Sequence, residues 1–306
     1  MVKRKKHHYQ YGKLSVGGRI FVGFNYVFLT LVALGMIYPI LNVVSISLSE
    51  YSEYLKTPGM IYPKKFTTEA YELILKNKQF LRSYLNTIIL TVGSTLLGLT
   101  VNLLFAWPMA RKETKGKTLL MSLLIFTMVF SAGMIPSYLN IQSLGLLNNL
   151  LVLILPGCFN AFNCIVMMSF LRELPYELVE AAMADGASEP YILTKIVLPL
   201  SKPVLASVSV FLAVGVWNSY FGAQLYIKDR DLWPLALVLK EILETASTSS
   251  LESGMDPLAL EAAEDVIQSK TLQYAALVIS TVPIMCVYPF LQKHFAKGVT
   301  VGGVKG

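Results

Sequence analysis

Charge is scarce in this chain. Asp, Glu, Lys and Arg make up 15% of the 306 residues, against 54% hydrophobic, and the mean hydropathy is +0.56. So little polar surface excludes a pair of water-soluble domains and indicates an integral membrane protein. Cysteine is nearly absent: Cys158, Cys164 and Cys286 lie in apolar runs and none forms a CxxC pair, so neither a disulfide framework nor a thiolate metal site is expected, and buried thiols acting as small hydrophobes are. The three histidines are equally unhelpful to chemistry. His7 and His8 sit in a polar tail and His294 at a membrane edge, with no Ser or Cys nucleophile nearby. Gly116-Lys117-Thr118 imitates the end of a phosphate loop, but Arg111 stands where the upstream glycine is needed, and an apolar helix follows instead of a βα unit. No catalytic, nucleotide, cofactor or metal site is expected, and no nucleic-acid surface.

The charges that do exist divide the chain. No charged residue falls between Arg19 and Glu50, between Arg82 and Arg111, or from Thr118 to Leu171. The last of these has 54 residues, about 81 Å as one helix against a hydrocarbon core of about 30 Å, so two helices are expected with a turn near Asn140–Asn149. The spans expected are 20–46, 84–107, 118–139, 149–170, 204–225 and 272–291, the first read as an uncleaved membrane helix and not a signal peptide. A basic cytoplasmic tail (1–19) precedes this transmembrane region (20–292), and a second cytoplasmic tail (293–306) follows it. Trp107-Pro108 suits an interfacial helix end, and Ser49–Arg82 should carry one short helix near Thr68–Lys78. Lys228–Lys270 holds the low-complexity run Thr245–Ser250 and an acidic helix at Glu261–Asp265. With the N-terminus inside, sixteen Lys and Arg fall inside and ten outside, while six acidic residues fall inside and thirteen outside. That bias explains the net charge of +7 by orientation and places both termini in the cytoplasm.

One polar stretch inside this pattern is too polar for a bilayer: Leu174–Pro203. Pro175 suits a first helical turn, Tyr176–Ala184 carries good helix formers, and Asp185-Gly186 stops them, glycine supplying a left-handed residue. Ser188 can cap a second helix that must yield near Pro199 and Pro203, which lack a backbone donor. Glu180-Ala181-Ala182, three residues to Gly186 and nine more to Ile196-Val197-Leu198-Pro199 resemble the EAA loop of ABC-importer permeases. Phe130–Pro136, Leu144–Asn148, Ile154–Gly157, Trp217-Asn218 and Trp233-Pro234-Leu235 are similar to segments of carbohydrate-uptake permeases of the maltose-permease type. The ending Tyr288–Gln292 with Lys297-Gly298 and Gly303–Gly306 looks like a subgroup associated with aldouronate and other plant oligosaccharides.

The resemblance implies an all-α integral membrane chain of six transmembrane helices with the type I ABC-importer permease fold and a cytoplasmic coupling-helix loop at 174–203. It implies a translocation path for an oligosaccharide, a second homologous permease, two ATPase subunits holding ATP and Mg, and an extracytoplasmic solute-binding lipoprotein docking on Ser49–Arg82 and Lys228–Lys270. The coupling residues it marks are Glu180, Ala181, Ala182, Met183, Asp185, Gly186, Ile196, Leu198 and Pro199. Glu180 is expected to anchor the loop by accepting hydrogen bonds, with Leu178, Ala181, Ala182 and Met183 as a low-profile apolar surface. Uncharged polar and aromatic groups suit sugars, which makes Asn160, Asn163, Trp217, Asn218 and Tyr220 candidates for the path; interhelical hydrogen bonding is the alternative. An ion-driven secondary transporter is the rival function, but the span interiors lack any Asp, Glu, Lys or Arg to couple an ion. A membrane-embedded enzyme lacks residues for chemistry.

Overall fold

A computed structural model describes residues 15–252 and 271–286. His7, His8, most of the basic tail, Glu261–Asp265, Pro289, His294 and the C-terminal motifs lie outside the described residues. Among those described, regular structure is helical, apart from one bridge between Ser49 and Phe66. The chain divides into two compact units, Met1–Thr68 and Glu69–Gly306.

The first unit is built on α1 (Val16–Ser47), which Ser15 caps by accepting from the Gly18 amide at 3.2 Å. Its 32 residues span about 48 Å, and its apolar side chains are exposed along most of its length, as befits a helix meant for lipid. Burial begins only at Ser45–Ser47, where the following loop folds back. Asn42 donates to the Pro58 and Met60 carbonyls at 2.9 and 2.8 Å, and the Ser49 hydroxyl accepts from the Lys64 amide at 2.9 Å. The short helix α2 (Tyr51–Lys56) lies within that loop.

In the second unit α3 (Glu69–Lys76) leads into α4 (Lys78–Ala110), which starts before the expected residue 84 because Asn77 caps it, accepting from the Phe80 amide at 3.1 Å. The long charge-free run does not form two continuous helices. It folds as α5 (Lys117–Val129), α6 (Met134–Ser143), α7 (Leu151–Ile154) and α8 (Ala161–Arg172), with α5 and α6 bent by 112°. The expected spans 118–139 and 149–170 are therefore each interrupted. Pro136 can enter only a helix's first turn, so the chain restarts at Met134 after Gly133 takes φ +86°. Likewise Pro156-Gly157 ends α7 and Asn160 caps α8, accepting from the Asn163 amide at 3.1 Å. Turns at Gly145 (φ +67°) and Asn148 (φ +56°) separate α6 from α7.

After α9 (Glu177–Ala184) comes a composite arm: α10 (Glu189–Tyr191), a π-helical turn (Ile192–Val197) and α11 (Leu198–Leu200). It meets α12 (Lys202–Trp217) at 80°. The expected span 204–225 breaks at Asn218–Tyr220 before α13 (Phe221–Tyr226); α14 (Leu235–Glu252) and α15 (Thr271–Cys286) follow. Among the described residues α1 and α4 are long and apolar enough to cross a membrane, four such paths result if each bent pair is one, and α8 and α15 are shorter apolar helices. Cys164 is buried and Cys158 half-buried as expected of small hydrophobes, but Cys286 is exposed on α15.

Candidate functional site

The main core lies where α4, α8 and α12 meet, with Ala106, Cys164, Met167, Ile192, Val197 and Val208 wholly buried. Val179 of α9 belongs to the same cluster, so the 177–200 hairpin is seated on the bundle's end and is not a free loop. Helical spacing puts Val179, Ala182 and Met183 on the seated side and leaves Leu178, Glu180, Ala181, Asp185 and Gly186 outward. This corrects the expected apolar surface. Ala182 and Met183 hold the hairpin down, and the outward apolar groups are Leu178 and Ala181.

Gly186 closes the corner at φ +78°. Its amide bonds the Met183 carbonyl at 3.0 Å and the Ala187 amide bonds the Ala182 carbonyl at 2.9 Å, the paired bonds of a Schellman ending. Ser188 takes the N-cap position with extended backbone but makes no capping hydrogen bond with its side chain. In the second arm Ile192 and Val197 are both fully buried although five residues apart. An α-helix would turn them about 140° from each other; the wider π turn, with its i→i+5 spacing, lets both face the core. Ile196 is half-buried, while Leu198 and Pro199 are outward, and Pro199 offers no amide to the turn before it.

Glu180 does not anchor this hairpin. Its side chain is exposed and, among the described residues, has no hydrogen bond or ion pair. The tie comes from the α4–α5 loop. Arg111 donates to Glu189, lies 3.5 Å from a Glu113 oxygen, touches the Met183 sulfur at 3.3 Å and sits 5.7 Å over the Trp107 ring. The Glu189 hydrogen bond raises the Arg111 pKa above its ordinary value. Tyr176 donates its hydroxyl to Glu113 at 2.6 Å, which chiefly lowers the Glu113 pKa and raises that of Tyr176. Arg111 was missed from the sequence. It looked like one of several basic loop residues, and its being the first charge after a long apolar run was the available signal.

The five sugar-path candidates fall in three places. Asn160 and Asn163 cap and enter α8 beside Asn102, a wholly buried residue the sequence reading passed over. Asn102 donates to the Gly98 and Cys158 carbonyls at 2.7 and 3.0 Å and accepts from the Asn160 amide at 3.2 Å, sewing the break before α8 onto α4. Trp217 packs edge-on to Tyr84 and donates to the Ser280 carbonyl at 3.1 Å, beside an apolar cavity of about 330 Å³ between α4, α12 and α15. Thr91, Ser94 and Thr95, one face of α4 there, have buried hydroxyls without partners among the described residues. Asn218 and Tyr220 are brought together. They line an open cavity of about 800 Å³ whose other wall is one stripe of α14: Ala236, Leu239, Lys240, Leu243 and Glu244. The Lys240 ammonium lies 5.6 Å over the Tyr220 ring and 2.8 Å from Glu244.

The loop before α14 is fastened to α4. Arg82 pairs with Asp231 at 2.9 Å, Asn86 donates to the Asp231 and Trp233 carbonyls at 2.8 and 3.1 Å, and Thr87 accepts from the Leu235 amide at 2.7 Å. The wall bearing Lys240 is thereby held to the bundle.

Comparison with known proteins agrees with this architecture. Residues 94–301 match the model of the binding-protein-dependent transport system inner membrane component family. The chain is 41% identical to protein LplC of Bacillus subtilis, over 94% of this chain and 96% of that protein. It is 37% identical to the polygalacturonan/rhamnogalacturonan transport system permease protein YtcP of the same organism, over 94% and 99%. A chain of a bacterial ABC transporter involved in the import of the acidic polysaccharide alginate superposes with a TM-score of 0.81 at 32% identity, covering 92% of this chain and 98% of that one.

Proposed function

The chain belongs to the family of binding-protein-dependent transport system inner membrane components, and from that premise we propose how this permease subunit of an ABC importer takes its substrate and its drive. As a transporter component it does no covalent chemistry; ATP and Mg belong to a separate pair of ATPase subunits. A second homologous permease completes the path, and an extracytoplasmic solute-binding lipoprotein delivers the substrate to the Ser49–Arg82 and Lys228–Lys270 regions. Both termini lie in the cytoplasm, as the bias of basic residues favours.

The carrying observation is the seated hairpin. A contact that transmits force must be stiff toward the bundle and bare toward the partner, and the 177–200 hairpin combines a buried face (Val179, Ile192, Val197) with an outward one (Leu178, Ala181, Leu198, Pro199). Docking of the ATPase on that face would tilt α12 through the 80° joint at Ser201. Glu180, Asp185 and Gly186 would contribute charge and close approach at the tip.

The substrate is an oligosaccharide bearing uronic acids. Support comes from the relatives named for polygalacturonan and alginate, and from a cavity that pairs an aromatic ring for a sugar's C–H face (Tyr220), an amide for hydroxyls (Asn218) and a cation for a carboxylate (Lys240). Among the described residues the ion-pair partner of Lys240 is Glu244 one helical turn away, a surface-type pair worth little, so a substrate carboxylate can compete for it beside the Tyr220 ring. Trp217, Asn160 and Asn163 support the walls of the path. The test is ATPase stimulation of the purified, reconstituted importer by binding protein loaded with oligogalacturonate or with a neutral maltooligosaccharide. Oligogalacturonate should stimulate, and stimulation by the neutral sugar alone would overturn the substrate assignment. Orientation is read separately: cysteines at Ser52 and Lys228 should react with an impermeant thiol reagent in intact cells, and one at Ser188 should not.

A further inference from the structure

We propose that the cavity between the α4–α5 loop, the end of α8 and Tyr176 binds the phosphate headgroup of an anionic phospholipid. It encloses about 260 Å³ and is lined by Trp107, Arg111, Lys112, Lys117, Arg172 and Tyr176 together with one alanine and two leucines; no acidic residue lines it. Arg111 is already committed to Glu189 and Glu113. The other three cations have no carboxylate within ion-pair distance among the described residues. Lys112 rests 5.8 Å over the Tyr176 ring, Lys117 donates to the Arg111 carbonyl at 2.5 Å, and Arg172 reaches the Met109 carbonyl only at 3.5 Å. Three cations converging on one hollow repel each other, and an anion with several acceptor oxygens relieves that repulsion.

Phosphate chemistry could come from a lipid or from solution, and placement favours the lipid. Arg111 and Arg172 are the first charges after two long apolar runs, so the mouth lies at a bilayer surface, with Trp107 one turn inward where interfacial aromatics belong. Below it α5 begins at Lys117 and exposes Leu119, Leu123 and Phe126, an uncovered apolar stripe at helical spacing along which acyl chains can lie. Basic hollows between helices at this depth suit anionic headgroups, whereas free phosphate has no use for the stripe. The site shares Arg111 and Tyr176 with the ties of the 177–200 hairpin, so an occupied headgroup site braces the coupling element. This rests on the reading of the chain as membrane-embedded with the loop at a bilayer surface, and needs no choice of leaflet.

The test uses the assembled importer in nanodiscs of phosphatidylcholine with phosphatidylglycerol as the minor lipid. Native mass spectrometry of the released complex should show retained phosphatidylglycerol. Lys112→Gln and Lys117→Gln should each lower retention about fivefold, the effect of one basic residue near an anionic surface, and the double variant correspondingly more. Lys115→Gln, in the same loop but outside the cavity, should leave it unchanged. Arg172→Gln joins the series only if the complex assembles normally; the lysine variants suffice without it. Equal retention in wild type and in the Lys112/Lys117 double variant would overturn the proposal. So would displacement of the lipid by millimolar inorganic phosphate, which identifies a free-phosphate site. Loss of ATPase copurification with lipid retention intact would assign the cations to the ATPase instead. Symmetric discs make the readout independent of orientation, and loss of lipid retention is scored whether or not any sugar stimulates, so failure here and failure of the functional reading stay distinct.

Discussion

Gly186 offers the cleanest perturbation of the coupling hairpin. A Cβ built there meets nothing within 4 Å, so substitution creates no clash, and the whole effect comes from φ +78°. For a residue with a side chain the left-handed region costs roughly 1–2 kcal/mol, a factor of about 5–30 in the population of the corner conformation. Asn and Asp tolerate that region better than other side chains, and a β-branched residue tolerates it worst. Val should therefore loosen the corner and its two bonds at 3.0 and 2.9 Å, while Asn should nearly preserve both. Asp keeps Asn's backbone tolerance but adds charge beside Asp185 and the outward Glu180. The penalty is small against the burial of Val179, Ile192 and Val197, so all three variants should assemble. The assay is the ATPase rate of purified complex with and without loaded binding protein. Stimulation should fall in the order Asn, Asp, Val, the Asn-to-Asp step reporting charge and the Asn-to-Val step backbone. Full stimulation in Gly186→Val would refute the claim that the corner's conformation transmits the drive.

The cavities make further predictions. Trp217→Ala removes the ring packed on Tyr84 and the bond to the Ser280 carbonyl, so subunit abundance should fall by western blot before transport per complex does; Asn218→Ala, whose side-chain amide bonds the Val214 carbonyl one turn back at 2.9 Å, should keep abundance and lower uptake. Asn102→Leu leaves the Asn160 amide and the Cys158 carbonyl without that partner in a part-buried site, a cost of at most about 1–3 kcal/mol for an orphaned group, and should lower the thermal midpoint of the purified complex. The Tyr176–Glu113 bond favours carboxylate and phenol together. Its stabilisation is present above the ordinary carboxylate value and lost as pH falls through the lowered Glu113 pKa. It is also present below the ordinary phenol value and lost as pH rises through the raised Tyr176 pKa. Tyr176→Phe should therefore change limited proteolysis of the hairpin at neutral pH and make no difference at strongly acid pH; a difference that persists there points to ring packing instead.

What the sequence determined by itself is what depends on local chemistry and on solvent. Absent charge marks which stretches water rejects, so the membrane class, the polar interruption at 174–203 and the left-handed Gly186 were all legible from residue types and spacing. So were the resemblances that name the family. The breaks in the long apolar run were written there too, in Pro136 and Pro156-Gly157, but hydropathy alone reads straight through them. The tertiary structure decided which side of each helix is spoken for. Glu180 looked like an anchor and is bare, whereas Arg111 looked like loop charge and is the tie, because an ion pair depends on where α4 ends relative to α10, separated in the chain by 78 residues between Arg111 and Glu189. Asn102 was one polar letter among apolar ones until the chain break before α8 was laid against it. Likewise the candidates Asn160, Asn163, Trp217, Asn218 and Tyr220 share a chemistry in the sequence but not a place. Only the packing of α14 beside the 218–220 segment joins Asn218 and Tyr220 with Lys240 in one cavity, because which side chains converge depends on packing between elements separated in the chain.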